Sequence, residues 1–138
     1  MKKLIVFALL AIVSFGCSSS DDSVSVTEEK LVGKWYYSTT KVAGQTFPYD
    51  DHEDCGKDYV EFKADGTLVD VDVWDCEIYD DLVGTWTIDG NKIVISSFGE
   101  VFSGTVKTLN ATTLVVSTKY DFFDNGQEIT VIETYTKN

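Results

Sequence analysis

The stretch from Cys55 to Cys76, which reads CGKDYVEFKADGTLVDVDVWDC, constrains the fold of this chain more than any other. Asp65-Gly66 stands at its midpoint, between two segments in which apolar and polar residues alternate. Such alternation around an Asp-Gly pair is a strong hairpin signal, because both residues of the tight turn adopt positive φ angles. The stretch therefore predicts an antiparallel hairpin with a two-residue loop, in which Cys55 lies opposite Cys76.

The predicted pairing sorts the hairpin side chains onto two faces. One face comprises Val60, Phe62, Val69, Val71 and Val73, and the other comprises Tyr59, Glu61, Asp70, Asp72 and Trp74. A slip of one residue would mix the two sets, so the pattern favours this register. The two cysteines then meet at a non-hydrogen-bonded position, where Cα atoms are ~4.5 Å apart and a disulfide is feasible. Two buried free thiols remain the alternative.

The composition is that of one β-rich domain with an appendage. The chain has 138 residues, of which 43 % are apolar and 13 % aromatic, enough for one core. A single Pro and many Val and Thr residues favour strands over helices. The net charge of −12 and the lack of Arg argue against a nucleic-acid partner, because neutralising phosphates requires a basic surface.

The first seventeen residues have the pattern of an export signal. A basic start is followed by the apolar run Leu4–Val13, which is too short to span a bilayer, and then by Ser14-Phe15-Gly16-Cys17. This ending resembles a bacterial lipobox of the looser Bacteroidetes type. The resemblance implies a signal peptide over 1–16 and acylation of Cys17, for example with palmitate. Plain secretion, with Cys17 removed or left free, is the alternative.

Residues 17–30 are predicted to be a flexible tether, because Ser18–Ser23 is polar and acidic and has no apolar side chain to pack. Acidic residues directly after the acylated cysteine resemble the surface-export signal of Bacteroidetes lipoproteins. This resemblance predicts the bacterial outer membrane as the location, with the protein lipid-anchored at the cell surface. Cys55 and Cys76 remain as an even pair in an oxidising compartment.

Beyond the central hairpin, six further strands are predicted from alternation and turn signals. They span 33–42, 83–88, 92–97, 101–109, 114–122 and 128–135. Gly90-Asn91 as a two-residue loop places Ile88 opposite Ile93 and Trp86 opposite Ile95. An antiparallel up-and-down meander of eight strands can close into a barrel, which removes exposed sheet edges. A two-sheet sandwich built from the same strands is the alternative fold.

Several short motifs, taken in order, resemble one known family. These are Leu31–Trp35 (LVGKW), Cys55, Asp65-Gly66, Cys76 and Gly84-Thr85-Trp86 with the Gly90-Asn91 turn. Residues 31–138 thereby resemble the lipocalin-like domains of bacterial lipoproteins, which implies a lipocalin-like barrel. In lipocalins the first Trp closes the barrel base under an Arg; because this chain lacks Arg, Lys137 or Tyr135 is expected to take that place. The resemblance also implies affinity for small apolar molecules.

No residue pattern predicts catalysis, a resident metal or a cofactor. The sole His, His52, lies in the acidic run 50–54, whose spacing fits no metal loop, so solvated charges are the favoured interpretation. Weak Ca²⁺ binding by Glu61, Asp70 and Asp72 is a minor alternative, because the predicted register places Glu61 directly opposite Asp70 and like charges there favour an intervening cation. A nucleophile without an adjacent base has no evident activation. We therefore expect a monomeric protein that is not an enzyme.

Two functional hypotheses follow from this fold. A hollow barrel would hold a small hydrophobic ligand in a cavity of at least ~300 Å³. A barrel filled by its own side chains would instead bind a surface protein or glycan through exposed aromatic residues and acidic loops. The candidates for closing the base or lining the ligand site are Trp35, Trp86, Phe62 and Phe102. Tyr79, the Tyr36-Tyr37 pair and the Phe122-Phe123 pair are candidates for the rim of an opening. Trp74 is expected either to pack on the disulfide or to be an exposed contact for a glycan or a protein.

Overall fold

The computed structural model describes residues 24–121 and 125–138, which form one short helix and an antiparallel sheet. The elements are α1 (Glu28–Leu31), β1 (Gly33–Val42), β2 (Gln45–Pro48), β3 (Tyr59–Phe62), β4 (Thr67–Trp74), β5 (Glu77–Asp89), β6 (Lys92–Ser97), β7 (Glu100–Leu109), β8 (Thr113–Tyr120) and β9 (Ile129–Thr136). Within these described residues, no helix is long and apolar enough to cross a membrane.

The sheet closes into a barrel. From β3 to β9 each strand pairs with the next along the chain, and β1 pairs with both β3 and β9. Eight strands thus complete the ring, while β2 adds a short ribbon to the far end of β1. Closure leaves the barrel strands without free edges. The predicted eight-stranded up-and-down barrel is confirmed, and the sandwich alternative is wrong.

The up-and-down course of the strands gives the barrel two ends. We call one end the base; it holds α1 and the turns at 63–66, 90–91 and 110–112. We call the other the open end; it holds the turns at 43–44, 75–76 and 98–99 and the loop 49–58. The core cluster of buried apolar side chains includes Leu31, Trp35, Phe62, Trp86, Leu114 and Tyr135.

The β5–β6 hairpin has the predicted register. Ile88 pairs with Ile93, and Trp86 pairs with Ile95. The bounds predicted for β1 and β6 also match the structure. In these places the turn signal and the apolar alternation agree, so local sequence is sufficient to set the pairing.

The β3–β4 hairpin is shifted by one residue from the predicted pairing. Phe62 pairs with Leu68, and Val60 pairs with Asp70. The Lys63 N–H donates to the Thr67 carbonyl (2.9 Å), which leaves a loop of three residues. Gly66 alone in that loop has a positive φ, of 85°. A three-residue loop that ends in a left-handed glycine is the other common hairpin geometry, so Asp-Gly did not distinguish the two.

This shift turns strand β4 over relative to the prediction. Asp70 now shares the inner face with Val60 and Leu68, which belong to the core cluster. The valines at 69, 71 and 73 face outward and are nevertheless buried. Gly56 packs against Val73, because a Cβ added at Gly56 would lie only 3.0 Å from a methyl carbon of Val73. Both faces of β4 are therefore covered, and its aspartates point into the barrel.

The packed domain begins earlier than residue 31. Val24 and Val26 contact the core cluster, and α1 places Leu31 in it with no exposed surface. The predicted tether over 17–30 is thus wrong in its second half. The signal peptide over 1–16, Cys17 and the Phe122-Phe123 pair lie outside the described residues.

Candidate functional site

The barrel contains a cavity of about 110 Å³ that extends from Phe62 and Leu114 near the base toward Phe102 and Tyr120 nearer the open end. Its walls are mainly apolar and include Phe62, Leu68, Ile93, Leu114 and Val116. Gly104 also lines the cavity, and a side chain there would collide with Val116. The missing side chain at this position therefore contributes to the empty volume.

The base of the barrel is sealed by contacts to Trp35. The Trp35 side chain is fully buried, and its indole N–H donates to the Leu31 carbonyl (2.7 Å). Lys137 Nζ lies 4.0 Å from the centre of the Trp35 ring and donates to the Val32 carbonyl (3.2 Å). Burial lowers the pKa of Lys137. The cation–π contact predicted for Lys137 is confirmed.

A belt of tyrosines and carboxyl groups crosses the barrel interior, and two of its members, Glu133 and Tyr135, line the cavity wall. The Tyr37 hydroxyl donates to Asp70 (3.0 Å), and the Tyr135 hydroxyl donates to Glu133 (3.1 Å). The rings of Tyr37 and Tyr135 are in contact, with centroids 5.2 Å apart. Because Glu133 and Tyr135 are two residues apart on β9, both point into the barrel. Two hydrogen-bonded pairs thus meet inside the barrel.

The protein environment disfavours charge on both carboxyl groups of this belt. Burial raises the pKa of Asp70, with smaller contributions from the charges of Asp72 and Asp58, while the Tyr37 hydrogen bond opposes the shift. Burial also raises the pKa of Glu133, and the charge of Asp70 adds to the effect. Titratable groups perturbed by burial inside a cleft are candidates for a functional site.

Asp58 fastens the loop 49–58 to the open end. It is 2 % exposed and accepts hydrogen bonds from the Tyr49 hydroxyl (2.7 Å) and the Val73 N–H (2.8 Å). The Tyr49 ring in turn stacks on Tyr37, with centroids 4.9 Å apart. A buried carboxylate requires such partners, and here they join the loop to β1 and β4.

His52 is a structural residue of the same loop. Its Nδ1 accepts from the Asp58 N–H (3.1 Å), so its Nε2 carries the proton and donates to the Tyr37 carbonyl (2.8 Å). Both ring nitrogens are therefore occupied by backbone groups. Neither a metal site nor a solvated charge run describes His52 in this geometry.

Cys55 and Cys76 form a disulfide, as predicted, but from different positions. Their Cα atoms are 5.7 Å apart. Cys55 lies in the loop before β3, and Cys76 lies in the β4–β5 turn, where Asp75 and Cys76 both have positive φ. The Glu53 carboxylate accepts from the N–H groups of Asp75 (2.7 Å) and Cys76 (2.9 Å). The disulfide and the Glu53 carboxylate together hold the β4–β5 turn to the 49–58 loop.

Comparison with known proteins identifies the barrel. The family model of the lipocalin-like domain matches residues 31–116, more than half of the chain. The chain belongs to the lipocalin-like domain family. No curated protein sequence matches it.

One solved structure of a lipocalin-like protein shares the fold, and others are more distantly similar. A lipocalin-like protein from Bacteroides uniformis is 16% identical, with a TM-score of 0.57, covering 79% of this chain and 99% of that chain. The bovine lipocalin allergen Bos d 2 is 15% identical (TM-score 0.48, 82% and 76% covered). Bovine odorant-binding protein in complex with undecanal is 17% identical (TM-score 0.46, 83% and 76% covered). At 16% identity the likeness to the Bacteroides protein concerns the fold alone.

The lipocalin-like barrel separates the three residues suggested for Ca²⁺. Glu61 pairs with Val69 on the outer face of the sheet. Asp70 lies on the inner face, where Asp72 lines the same cleft at the open end. The predicted Glu61–Asp70 pairing is wrong because of the register shift, so the three carboxylates do not converge.

Of the four aromatic candidates, three lie in the core of the lipocalin-like barrel. Trp35, Trp86 and Phe62 are at most 5 % exposed, and the Phe62 and Trp86 rings meet edge to face (5.5 Å). Phe102 lines the cavity but is 44 % exposed, so it belongs to the upper wall and not to the base. Phe102 also lines a neighbouring surface cleft.

Sequence reasoning missed Asp58 and Glu133. Asp58 directly precedes an alternating strand, a position where acidic residues are usually solvated. Glu133 lies between Val131 and Tyr135 at a spacing of two, so it shares their face. A carboxylate on the apolar face of a strand was the available signal for Glu133.

Proposed function

We propose that this protein is a membrane-anchored extracytoplasmic lipoprotein whose lipocalin-like barrel binds a small hydrophobic ligand. The observation that supports ligand binding is the apolar cavity of about 110 Å³ in a barrel that is sealed at its base. Apolar cavities stay dry and accept apolar molecules of matching size. The barrel therefore has the means to hold a ligand tail away from water.

The cavity limits the size of that ligand. Its volume is below the ~300 Å³ expected for a drug-sized ligand, and an apolar cavity of ~150 Å³ accommodates benzene. A short alkyl chain or a single ring fits the volume of about 110 Å³. A longer tail would extend toward the open end past Phe102.

Anchoring and location rest on the N-terminal sequence. The apolar run Leu4–Val13 followed by Gly16-Cys17 supports acylation of Cys17. The Cys55–Cys76 disulfide supports an oxidising compartment. We propose the bacterial outer membrane as the location, with the protein exposed at the cell surface.

Metabolic labelling with palmitate tests the anchor. The label should enter the wild-type protein and not C17A, and C17A should leave the membrane fraction. Equal labelling of both proteins would contradict the proposal.

The proposal assigns no enzymatic activity. In the described residues, both nitrogens of His52 are held by backbone groups, and Cys55 and Cys76 are joined as a disulfide. These groups are therefore not placed to act as general base or nucleophile.

Native mass spectrometry of the full chain, gently extracted in detergent, tests ligand binding. We expect a co-purifying small molecule that is lost on unfolding. Val116→Phe, which places a ring in the cavity wall, should abolish this mass, while Val115→Phe controls for an added ring on the opposite face of β8. A clean unliganded mass in several preparations, together with no binding of added small apolar molecules, would contradict the proposal.

An interaction module remains the second candidate, because large apolar side chains are exposed toward the open end. Phe98 is 98 % exposed, Trp74 68 % and Phe47 50 %. Exposed aromatic residues are typical anchors for protein or glycan partners. Substituting Trp74 and Phe98 by Ser should abolish partner binding under this candidate, whereas ligand retention in the cavity should persist.

A further inference from the structure

The cavity wall contains one carboxyl group, and no lysine is found among the described residues that line it. The carboxyl group belongs to Glu133, which lies directly across from Val116 in the β8–β9 ladder. The other polar groups of the wall are hydroxyls, including those of Thr118, Tyr120 and Tyr135. A ligand that fills this cavity therefore meets a carboxylate, and not an ammonium group, at its polar end.

A second carboxyl group extends this acidic wall. Tyr135 donates to Glu133 and its ring contacts Tyr37, which donates to Asp70. Asp70 and Glu133 are thus joined through two tyrosines on adjoining strands. Asp72, Asp51 and Asp58 line the cleft above them. Cations are the natural counter-charge for such a wall, which the net charge of −12 reinforces.

The same geometry disfavours a carboxylate ligand. A fatty acid would bring a like charge next to Glu133 in a partly desolvated space, where Coulomb repulsion is stronger than in water. An ammonium group would instead donate a charge-assisted hydrogen bond to the carboxylate. The aromatic faces of Tyr120 and Tyr135 also favour a cation.

We propose that the barrel selects an organic amine, with its ammonium head at Glu133 and its short apolar tail among Phe62, Leu68 and Leu114. This inference rests on the proposed function, since it specifies the ligand class of the same cavity. Asp70 does not line the cavity, but it is hydrogen-bonded to Tyr37 behind the Glu133–Tyr135 pair and adds a negative charge close to the site. The raised pKa values of both carboxyl groups fit a site that is completed by a cation.

Isothermal titration of the full chain with three probes of equal tail length tests this selection. The probes are hexylamine, 1-hexanol and hexanoate at neutral pH. We expect hexylamine to bind about tenfold more tightly than hexanol and hexanoate to bind most weakly, because only the amine brings a positive charge to the Glu133 carboxylate. E133Q should remove about tenfold of the hexylamine affinity and change hexanol binding by less than about twofold.

The control variant is E100Q, which removes an exposed carboxylate at the start of β7 and should leave all three affinities unchanged. Hexanoate binding as tightly as hexylamine would overturn the amine selection. So would an unchanged hexylamine affinity in a folded E133Q. If wild-type protein binds all three probes equally, the amine selection fails and the apolar site stands. If it binds none of them, the proposed function fails as well.

Discussion

The two ends of the barrel are held together by different kinds of interaction. At the base, fully buried apolar side chains surround Trp35, and Lys137 covers its ring. At the open end, a buried aspartate, a histidine, a glutamate and a disulfide hold a loop over the strands. The base derives its stability from burial, which is independent of pH and redox state.

The barrel interior and the open end carry features that reduce stability. Asp70 and Glu133 are partly buried carboxyl groups with raised pKa values. Asp75 and Cys76 both adopt positive φ angles. Such features persist where function requires them, because stability and activity commonly trade off at binding sites. We therefore expect the base to tolerate little change, whereas removing the charge of Glu133, whose pKa is raised by burial, can increase stability.

Replacing the buried and the exposed tryptophan by alanine, one at a time, should give the largest difference in the free energy of unfolding. W35A should lower the free energy of unfolding by about 3–5 kcal/mol, because a fully buried ring leaves a cavity behind. W74A should change it by about 0.5 kcal/mol or less, since that ring is 68 % exposed. Urea denaturation measures both. Similar losses for the two variants would show that the ends do not differ as described.

Removing the disulfide should loosen the open end more than the base. For the 21-residue separation of Cys55 and Cys76, loop entropy predicts a loss of about 3 kcal/mol in the C55S/C76S variant. Hydrogen exchange should accelerate at the Asp75 and Cys76 amides through local opening, and around Leu109 at the base only as far as the lower global stability requires. Acceleration confined to the base amides, or no local opening at Asp75 and Cys76, would contradict the separation of the two regions.

Removing the Asp58 carboxylate should cost less. D58A leaves the Tyr49 hydroxyl and the Val73 N–H without their acceptor, which predicts a loss of about 1–3 kcal/mol. D51A, which removes an exposed carboxylate from the same loop, is the matched control and should change stability by about 0.5 kcal/mol or less. Thermal unfolding of both variants decides whether Asp58 fastens the loop.

The smallest effect should be a gain in stability. Because the folded pKa of Glu133 lies above its ordinary value, folding favours the protonated form, and this contribution disappears as the pH rises through the folded pKa. E133Q keeps an acceptor for Tyr135 and should raise the melting temperature at pH 7 by a few degrees. The difference from wild type should vanish below the ordinary glutamate pKa of 4.5. A gain that persists at pH 3 would contradict the electrostatic cause.

Sequence pattern predicted the base better than the open end, for a physical reason. Around β5–β6 and in β1, turn residues and apolar alternation agree, and one face of each strand is decided by burial. The Trp35–Lys137 contact followed from the family resemblance. In β4, however, both faces are buried, so the alternation of Val with Asp did not reveal which face points inward.

The remaining errors in the predicted register come from the length of the β3–β4 hairpin loop. Asp65-Gly66 fits either a two-residue turn or a three-residue loop that ends at Gly66, and the two differ by one position in register. The shorter loop would place Asp70 outside, opposite Glu61; the observed loop places it inside, opposite Val60. The hydrogen bonds of the 49–58 loop join residues that are far apart in sequence, so no local sequence pattern predicts them.

The inward position of Asp70 is the basis for both the acidic belt and the amine selection. Cross-strand nuclear Overhauser effects, measured on the labelled full chain, test this position most directly. Since Lys63 and Thr67 are hydrogen-bonded, Val60 and Asp70 form a non-hydrogen-bonded pair, with Cα atoms ~4.5 Å apart. The account predicts a strong Hα–Hα effect between Val60 and Asp70. An Hα–Hα effect between Glu61 and Asp70 in its place would put the carboxylate outside the barrel and contradict the account.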